Sequence, residues 1–179
     1  MDRTVIRNRI KRWIVRKENG NYWWRLRKKH LNAKNIVTKT ISMYRYHKYL
    51  IKMCAHIPIE ASFGSMPVLP HGIYGIFISL GAVIGKDCVI FQQVTIGSNT
   101  IMGSKRIGSP VIGNNVYIGA GAKIIGNVKI GNHVRIGANC VVTKDIPDNA
   151  TVVSGENKVI LHEEVLDNSF YYYDQVKNV

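Results

Sequence analysis

The stretch from Val111 to Ile146 reads VIGNNV-YIGAGA-KIIGNV-KIGNHV-RIGANC-VVTKDI, six consecutive units of six residues. The second residue of each unit is aliphatic: Ile112, Ile118, Ile124, Ile130, Ile136 and Val142. The sixth is Val116, Ala122, Val128, Val134, Cys140 or Ile146, all small or apolar, so it also points inward. A period of six matches neither a helix nor a simple strand. It means that each unit lays one short face of a solenoid and turns a corner before the next. Glycine at the third position (Gly113, Gly119, Gly131, Gly137) suits a tight corner where a Cβ would collide with backbone.

Upstream, VIGKDC-VIFQQV-TIGSNT from Val83 to Thr100 keeps the same pattern through Ile84, Ile90 and Ile96. Three units close one triangular coil of 18 residues, so the nine units make about three coils, and the looser stretch 57–82 can supply one or more. Coils stack at the ordinary interstrand spacing of roughly 4.7–4.9 Å, which makes the body a parallel β-helix. Between the two runs, SNTIMGSKRIGSP (Ser98 to Pro110) puts 16 residues between Ile96 and Ile112 where two units need 12. Such an insertion is a loop at a solenoid corner.

The front of the chain is of another kind. The net charge is +14, and residues 1–60 hold sixteen Lys and Arg against three acids, Asp2, Glu18 and Glu60. The remainder is nearly balanced. Ile6, Ile10, Trp13 and Ile14 fall at helical spacing, Asn19-Gly20-Asn21 is a turn signal, and YWWRLRKKHLN is a second short helix. A third runs from about Ile36 to Ala55 with Val37, Ile41, Tyr44 and Ile51 near one face, and Pro58 ends it. The expected organisation is a basic helical segment over 1–56, a β-helix over 57–160 and a helical tail over 161–179. Three partners compete for the basic segment: the chain's own body or trimer, an anionic membrane surface met through residues 1–52, and nucleic acid. The last ranks lowest, because no nucleic-acid module is visible. Three cysteines, Cys54, Cys88 and Cys140, form no metal-like pair and leave one over, which argues against a disulfide framework. No apolar run of about 18 residues and no leader pattern is present, so a soluble, cytoplasmic protein is expected.

The tandem IGAGAKIIGNVKIG and RIGANCVVTKDIP, with LPHGIYGIFIS (Leu69 to Ser79) ahead of GAVIGKDCVIFQQVTIG, resembles the hexapeptide-repeat acyltransferases. Within them it looks like the serine acetyltransferase branch, which also includes O-acetyltransferases of surface-polysaccharide assembly. The resemblance implies a mainly β fold, a left-handed β-helix assembled as a homotrimer behind a small helical segment. Handedness comes from it alone, since parallel crossovers are normally right-handed. It further implies acetyl-CoA as donor, a hydroxyl as acceptor and no metal. The zinc relatives of this fold need three histidines. The β-helix offers only His71 and His133, at a spacing that fits no such site.

His71 aligns with the branch's catalytic histidine, and histidine titrates where a base for a hydroxyl must. Outside that context a lone boundary histidine is more often a hydrogen-bonded structural residue. His56 or Glu60 could orient His71, as could a backbone carbonyl. Cys88 and Cys140 occupy inward positions, which disfavours an acyl-enzyme. The resemblance lays the pantetheine arm along Gly119, Ala120 and Ala138, with Lys144 and Lys158 for the phosphates. It also brings the loop over the neighbouring subunit's site, where Lys105 or Arg106 would face the acceptor or CoA phosphates; Gln92 and Gln93 interrupt the apolar units, and either one of them faces the acceptor or the two form an amide ladder between coils. Pro70 and the pair Gly108-Ser109 replace the acid and the Arg-His pair that hold serine's charges in the branch. A zwitterion needs both charges met, whereas a sugar needs neither. The acceptor expected is therefore a sugar or glycan hydroxyl, with serine as the alternative.

Overall fold

The structure, a computed structural model, describes residues 22–155. The expected helix through Ile6 to Ile14, Lys158 and the tail over 161–179 lie outside the described residues. Two helices lead, α1 over 22–31 and α2 over Ile36–Lys52, followed by twelve short strands in three parallel sheets.

Sheet A stacks β2 (Phe77–Ile78), β5 (Thr95–Gly97), β8 (Lys123–Ile125) and β11 (Val141–Val142). Sheet B stacks β1 (Ser62–Phe63), β3 (Val83–Ile84), β6 (Val111–Ile112) and β9 (Lys129–Ile130). Sheet C stacks β4 (Val89–Ile90), β7 (Tyr117–Ile118), β10 (Arg135–Ile136) and β12 (Thr151–Val152). Single bridges His56 to Phe77, Val68 to Val89 and Ile146 to Ile130 add one rung to each sheet. The chain visits A, B and C in turn through five coils; the stretch before Val83 supplies the first coil and the sheet A rung of the second, and Ile146 and β12 complete the last. Each register pairs second positions, for example Ile96 with Ile124 and Ile118 with Ile136, and these residues form continuous buried columns.

On the corners that leave sheets B and C the fifth position lies in the left-handed region: Asp87, Gln93, Asn115, His133, Asn139 and Asn149 have φ from 53° to 61°, and Gly121 has 70°. Asn, Asp, His and Gly bear that conformation at low cost, which explains their recurrence there. At the corner between sheets B and C, Asn114 Oδ1 accepts from the Lys86 amide, Asn132 Oδ1 from Asn114 and Asp148 Oδ1 from Asn132, each at 2.8 Å. This ladder ties four coils together. His133 belongs to the same corner, its Nδ1 lying 2.7 Å from Asn115 Nδ2.

The helices close the open end of the solenoid. Trp23, Leu26, Tyr46 and Leu50 are buried in one core with Ile57 and Ile59. Trp23 Nε1 donates to the Tyr46 hydroxyl at 3.0 Å, and that hydroxyl donates to the Ile57 carbonyl at 2.7 Å. Burial pushes the Tyr46 phenol up to about 12. Arg27 donates to the Ile59 and Ala61 carbonyls while its guanidinium lies 5.3 Å from the Trp24 and Phe63 ring centres. α2 packs inward through Ser42, Tyr46 and Leu50, not through the face of Val37, Ile41, Tyr44 and Ile51, which is exposed. Tyr46 and the buried Ser42 win the inner face because each finds a polar partner there, Ser42 Oγ donating to the Lys39 carbonyl and meeting His30 Nδ1 at 3.1 Å.

Candidate active site

The corner from sheet C to sheet A is built differently from the other two. Three of its four C-to-A passages take six residues: Val89 to Thr95, Tyr117 to Lys123 and Arg135 to Val141. The first takes nine, from Val68 to Phe77, and His71 sits in the added turn. The turn is fixed from below by fully buried Ile73 and Ile76, and Gly75, at φ 64°, donates its amide to the Met53 carbonyl at 3.1 Å. A Cβ on Gly75 would lie 3.1 Å from Gln93 Cγ, so the added turn packs closely on the next coil.

His71 is exposed and heads a column that continues through Phe91-Gln92, Gly119-Ala120 and Gly137-Ala138. Its ring centre is 5.7 Å from that of Phe91, which in turn is 5.2 Å from Tyr117. The sequence reading did not single out Phe91; the visible signal is an aromatic where most other units carry glycine. Below Gln92 the corner is reduced to glycine and alanine. Gly121 donates to the Gln92 carbonyl and Asn139 to the Ala120 carbonyl, while the amides of Ala120 and Ala138 donate to nothing within the described chain. Gln92 Oε1 is enclosed without a hydrogen-bond partner. Gln93, by contrast, is a turn residue whose carbonyl accepts from Lys123 Nζ at 2.7 Å.

The other sequence-derived candidates occupy the opposite edge of sheet A. Glu60, the loop 98–110 and Lys144 all lie on the corner from A to B. Arg106 is engaged there: its Nη1 donates to Asp145 Oδ1 at 2.7 Å and to the Asn127 carbonyl at 3.2 Å. Asp145 also accepts from the Lys129 amide at 2.9 Å, and that bond, followed by those of Arg106, holds its carboxyl below the ordinary range. Ser109 is half-buried against Gly81, and Lys105 and Lys144 are exposed. His56 stacks on Phe77 with ring centres 6.5 Å apart, and neither it nor Glu60 has a hydrogen bond or ring contact with His71. Burial raises the Cys88 thiol, and Cys140 is buried as well, so neither sulfur is open to a substrate. Among the described residues no cluster of metal-ligating side chains occurs. A cavity of about 720 Å³ lies elsewhere, between the helices and the first coil, lined in part by His30, Lys39, Met43, His47, Ile59 and Glu60.

Residues 109–144 match the family model described as bacterial transferase hexapeptide (six repeats). The chain is 42% identical over 105 residues to the serine acetyltransferase of Synechococcus elongatus, covering 59% of this chain and 42% of that protein. It is 38% identical over 103 residues to Escherichia coli (strain K12) WcaB, named as a colanic acid biosynthesis acetyltransferase, covering 58% and 61%. The solved serine acetyltransferase isoform 3 of Entamoeba histolytica, in complex with cysteine, superposes with a TM-score of 0.58 at 35% identity, covering 70% of this chain and 44% of that one. Residues 109–144 carry the repeat of the hexapeptide transferases, and the chain is similar to their serine acetyltransferase-like branch. Its β-helix is of their left-handed kind. The chain spans about half the length of the relatives it matches. The enzyme of Neisseria gonorrhoeae, solved in complex with serine, gives a TM-score of 0.56 at 34% identity, covering 68% and 48%.

Proposed function

We propose that this protein is an acetyl-CoA-dependent O-acetyltransferase that modifies a sugar or glycan hydroxyl, as in the assembly of a surface polysaccharide. The observation that carries the reading is the placement of His71 at the head of a corner reduced to glycine and alanine. A thin pantetheine arm can lie against such a corner, with the free amides of Ala120 and Ala138 to meet its carbonyls. The His71 imidazole takes the proton of the acceptor hydroxyl as its oxygen forms a bond to the thioester carbon. The tetrahedral intermediate then collapses, the carbon–sulfur bond breaks, and His71 returns the proton to the departing thiolate. Gln92 supplies an amide beside the base for the acceptor. His56 and Glu60 have no contact through which to orient His71 within one chain, so Phe91 is the group that bears on its ring.

Lys144, Lys105 and the loop stand on the far edge of sheet A from His71 and so cannot complete its site within one chain. A second copy can present that edge to the first, and a homotrimer repeats the arrangement three times. In that assembly Lys144 and Lys105 meet CoA phosphates.

The sugar acceptor is supported by charge. Among the described residues the corner around His71, at 70–76, 91–94, 119–122 and 137–140, contributes no Asp, Glu, Lys or Arg, and the neighbouring Lys123, whose Nζ reaches it, is held by the Gln93 carbonyl. Gly108 packs on Asn127 and Ser109 on Gly81, so the positions that hold serine's charges in the branch are neutral and half-buried. WcaB is named for polysaccharide chemistry. Serine is the second reading, favoured by the names of the relatives at higher identity.

The decisive experiment is thiol release from acetyl-CoA with serine, free sugars, nucleotide sugars and lipid-linked oligosaccharides. Turnover with a sugar and none with serine is expected, and efficient serine acetylation overturns the acceptor assignment. His71→Ala should retain acetyl-CoA binding and lose transfer by roughly 10²–10⁴-fold, the usual contribution of a general base. Unchanged turnover would return His71 to a structural role.

A further inference from the structure

α2 is inverted relative to an ordinary surface helix. At 100° per residue, the buried Ser42, Tyr46 and Leu50 span one arc, and Val37, Ile41, Tyr44 and Ile51 span the arc opposite, with Ile36 at its margin. Those five are 52–77% exposed. Lys48, Lys52 and Arg45 flank them on the same outward side, and Lys48 Nζ lies 5.9 Å over the Tyr44 ring. From 22 to 59 the chain carries nine Lys and Arg and no acid.

Five large apolar side chains on one exposed arc call for a cover, and the charge decides among the covers. A second copy of the same arc would set Arg45, Lys48 and Lys52 against their own kind. The chain's own residues 1–21 carry seven bases and two acids, so that segment offers the flanking cations little compensating charge. An anionic bilayer surface accepts both components at once: apolar side chains enter the acyl boundary while the flanking cations meet lipid phosphates. The helix is suited to lying flat, since none of the described helices is long and apolar enough to cross a membrane.

We propose that the outward face of α2, centred on Ile41, Tyr44 and Ile51 and flanked by Lys48 and Lys52, docks this protein onto an anionic lipid bilayer. Docking here holds His71 near the surface, because the turn bearing it is bonded to the end of α2 through Gly75 and Met53. The inference rests on the exposed face and stands whichever acceptor is correct.

The test is co-sedimentation of the full chain with vesicles of phosphatidylcholine, with and without phosphatidylserine. Partition onto the anionic vesicles alone is expected, weakening as salt rises. The triple variant Ile41→Ser, Tyr44→Ser, Ile51→Ser keeps every charge and should lower that partition at least tenfold, as should Lys48→Gln with Lys52→Gln. Both should unfold at the wild-type temperature, because the changed side chains are exposed, and both should keep thiol release with soluble acceptors. A wild-type chain that stays in the supernatant overturns the proposal. So does a triple variant that binds as well as wild type, which would place the contact elsewhere. A triple variant of altered solution mass would instead make this face an interface between copies.

Discussion

His71 has a ring contact and no hydrogen bond to steady it. Phe91, 5.7 Å away between centres, limits its rotation from one side, and Tyr117 backs Phe91 at 5.2 Å. A base must point at the acceptor proton to within a fraction of an ångström, so looseness in the ring is felt in the chemical step. Phe91→Ala should therefore lower kcat about 10- to 100-fold with little change in KM for acetyl-CoA. Phe91→Leu, which keeps most of the packing, should recover much of the loss. Equal losses in both variants, or a change confined to KM, would deny Phe91 the positioning role. His71 could be picked out in the sequence as a candidate because it stands alone at the edge of a periodic pattern. Phe91 could not, since nothing local tells an aromatic that supports a base from one that fills a corner. His133 shows the converse: its left-handed φ of 57° and its contact with Asn115 make it a turn residue, a role that the fifth position of the hexad encodes.

The loop 98–110 is a small hairpin pinned at both ends. Asn99 and Gly108 exchange backbone hydrogen bonds at 2.9 Å, Asn99 Nδ2 donates to Ser104 Oγ at 2.7 Å, and Arg106 reaches across to Asp145. The sequence reveals the loop as a break in the period and offers Lys105 and Arg106 as free cations. It does not reveal that Asp145, 39 residues later, stacks beneath Arg106, because that pairing follows from coil register alone. Asp145→Ala should leave the β-helix folded and speed tryptic cleavage after Lys105 and Arg106 several-fold; unchanged cleavage would mean that the Asn99–Gly108 pairing suffices. The pH dependence follows from the depressed carboxyl of Asp145. A carboxyl lowered on folding stabilises above its unfolded value, near 4, and loses that contribution as pH falls through the folded value. Hydrogen exchange of the loop amides, corrected for intrinsic rate, should thus be flat from pH 8 to 5 and accelerate only below about 4. Acceleration near pH 6 would assign the anchor to a histidine instead.

At the scale of the molecule, the period of six fixes five stacked coils and three corners, and the corners divide the labour. The corner from B to C is a hydrogen-bonded ladder of Asn114, Asn132 and Asp148, the corner from C to A carries His71 above bare glycine and alanine, and the corner from A to B carries the loop and Lys144. The hexad pattern shows which residues point inward, but it is silent on which corner meets which in an assembly. If the site joins His71 of one subunit to the loop of the next, two inactive variants should repair each other. His71→Ala provides an intact loop. Removing residues 101–104, which restores the regular spacing, provides an intact His71. In trimers refolded from an equal mixture, a site is whole when a loop-deleted subunit precedes a His71→Ala subunit, which occurs at about a quarter of the interfaces if subunits mix at random. Thiol release should therefore rise from near zero in either variant alone to about a quarter of the wild-type rate in the mixture. If both columns served the same chain, no mixed trimer would contain a whole site and the mixture would stay inactive, even though light scattering showed trimers.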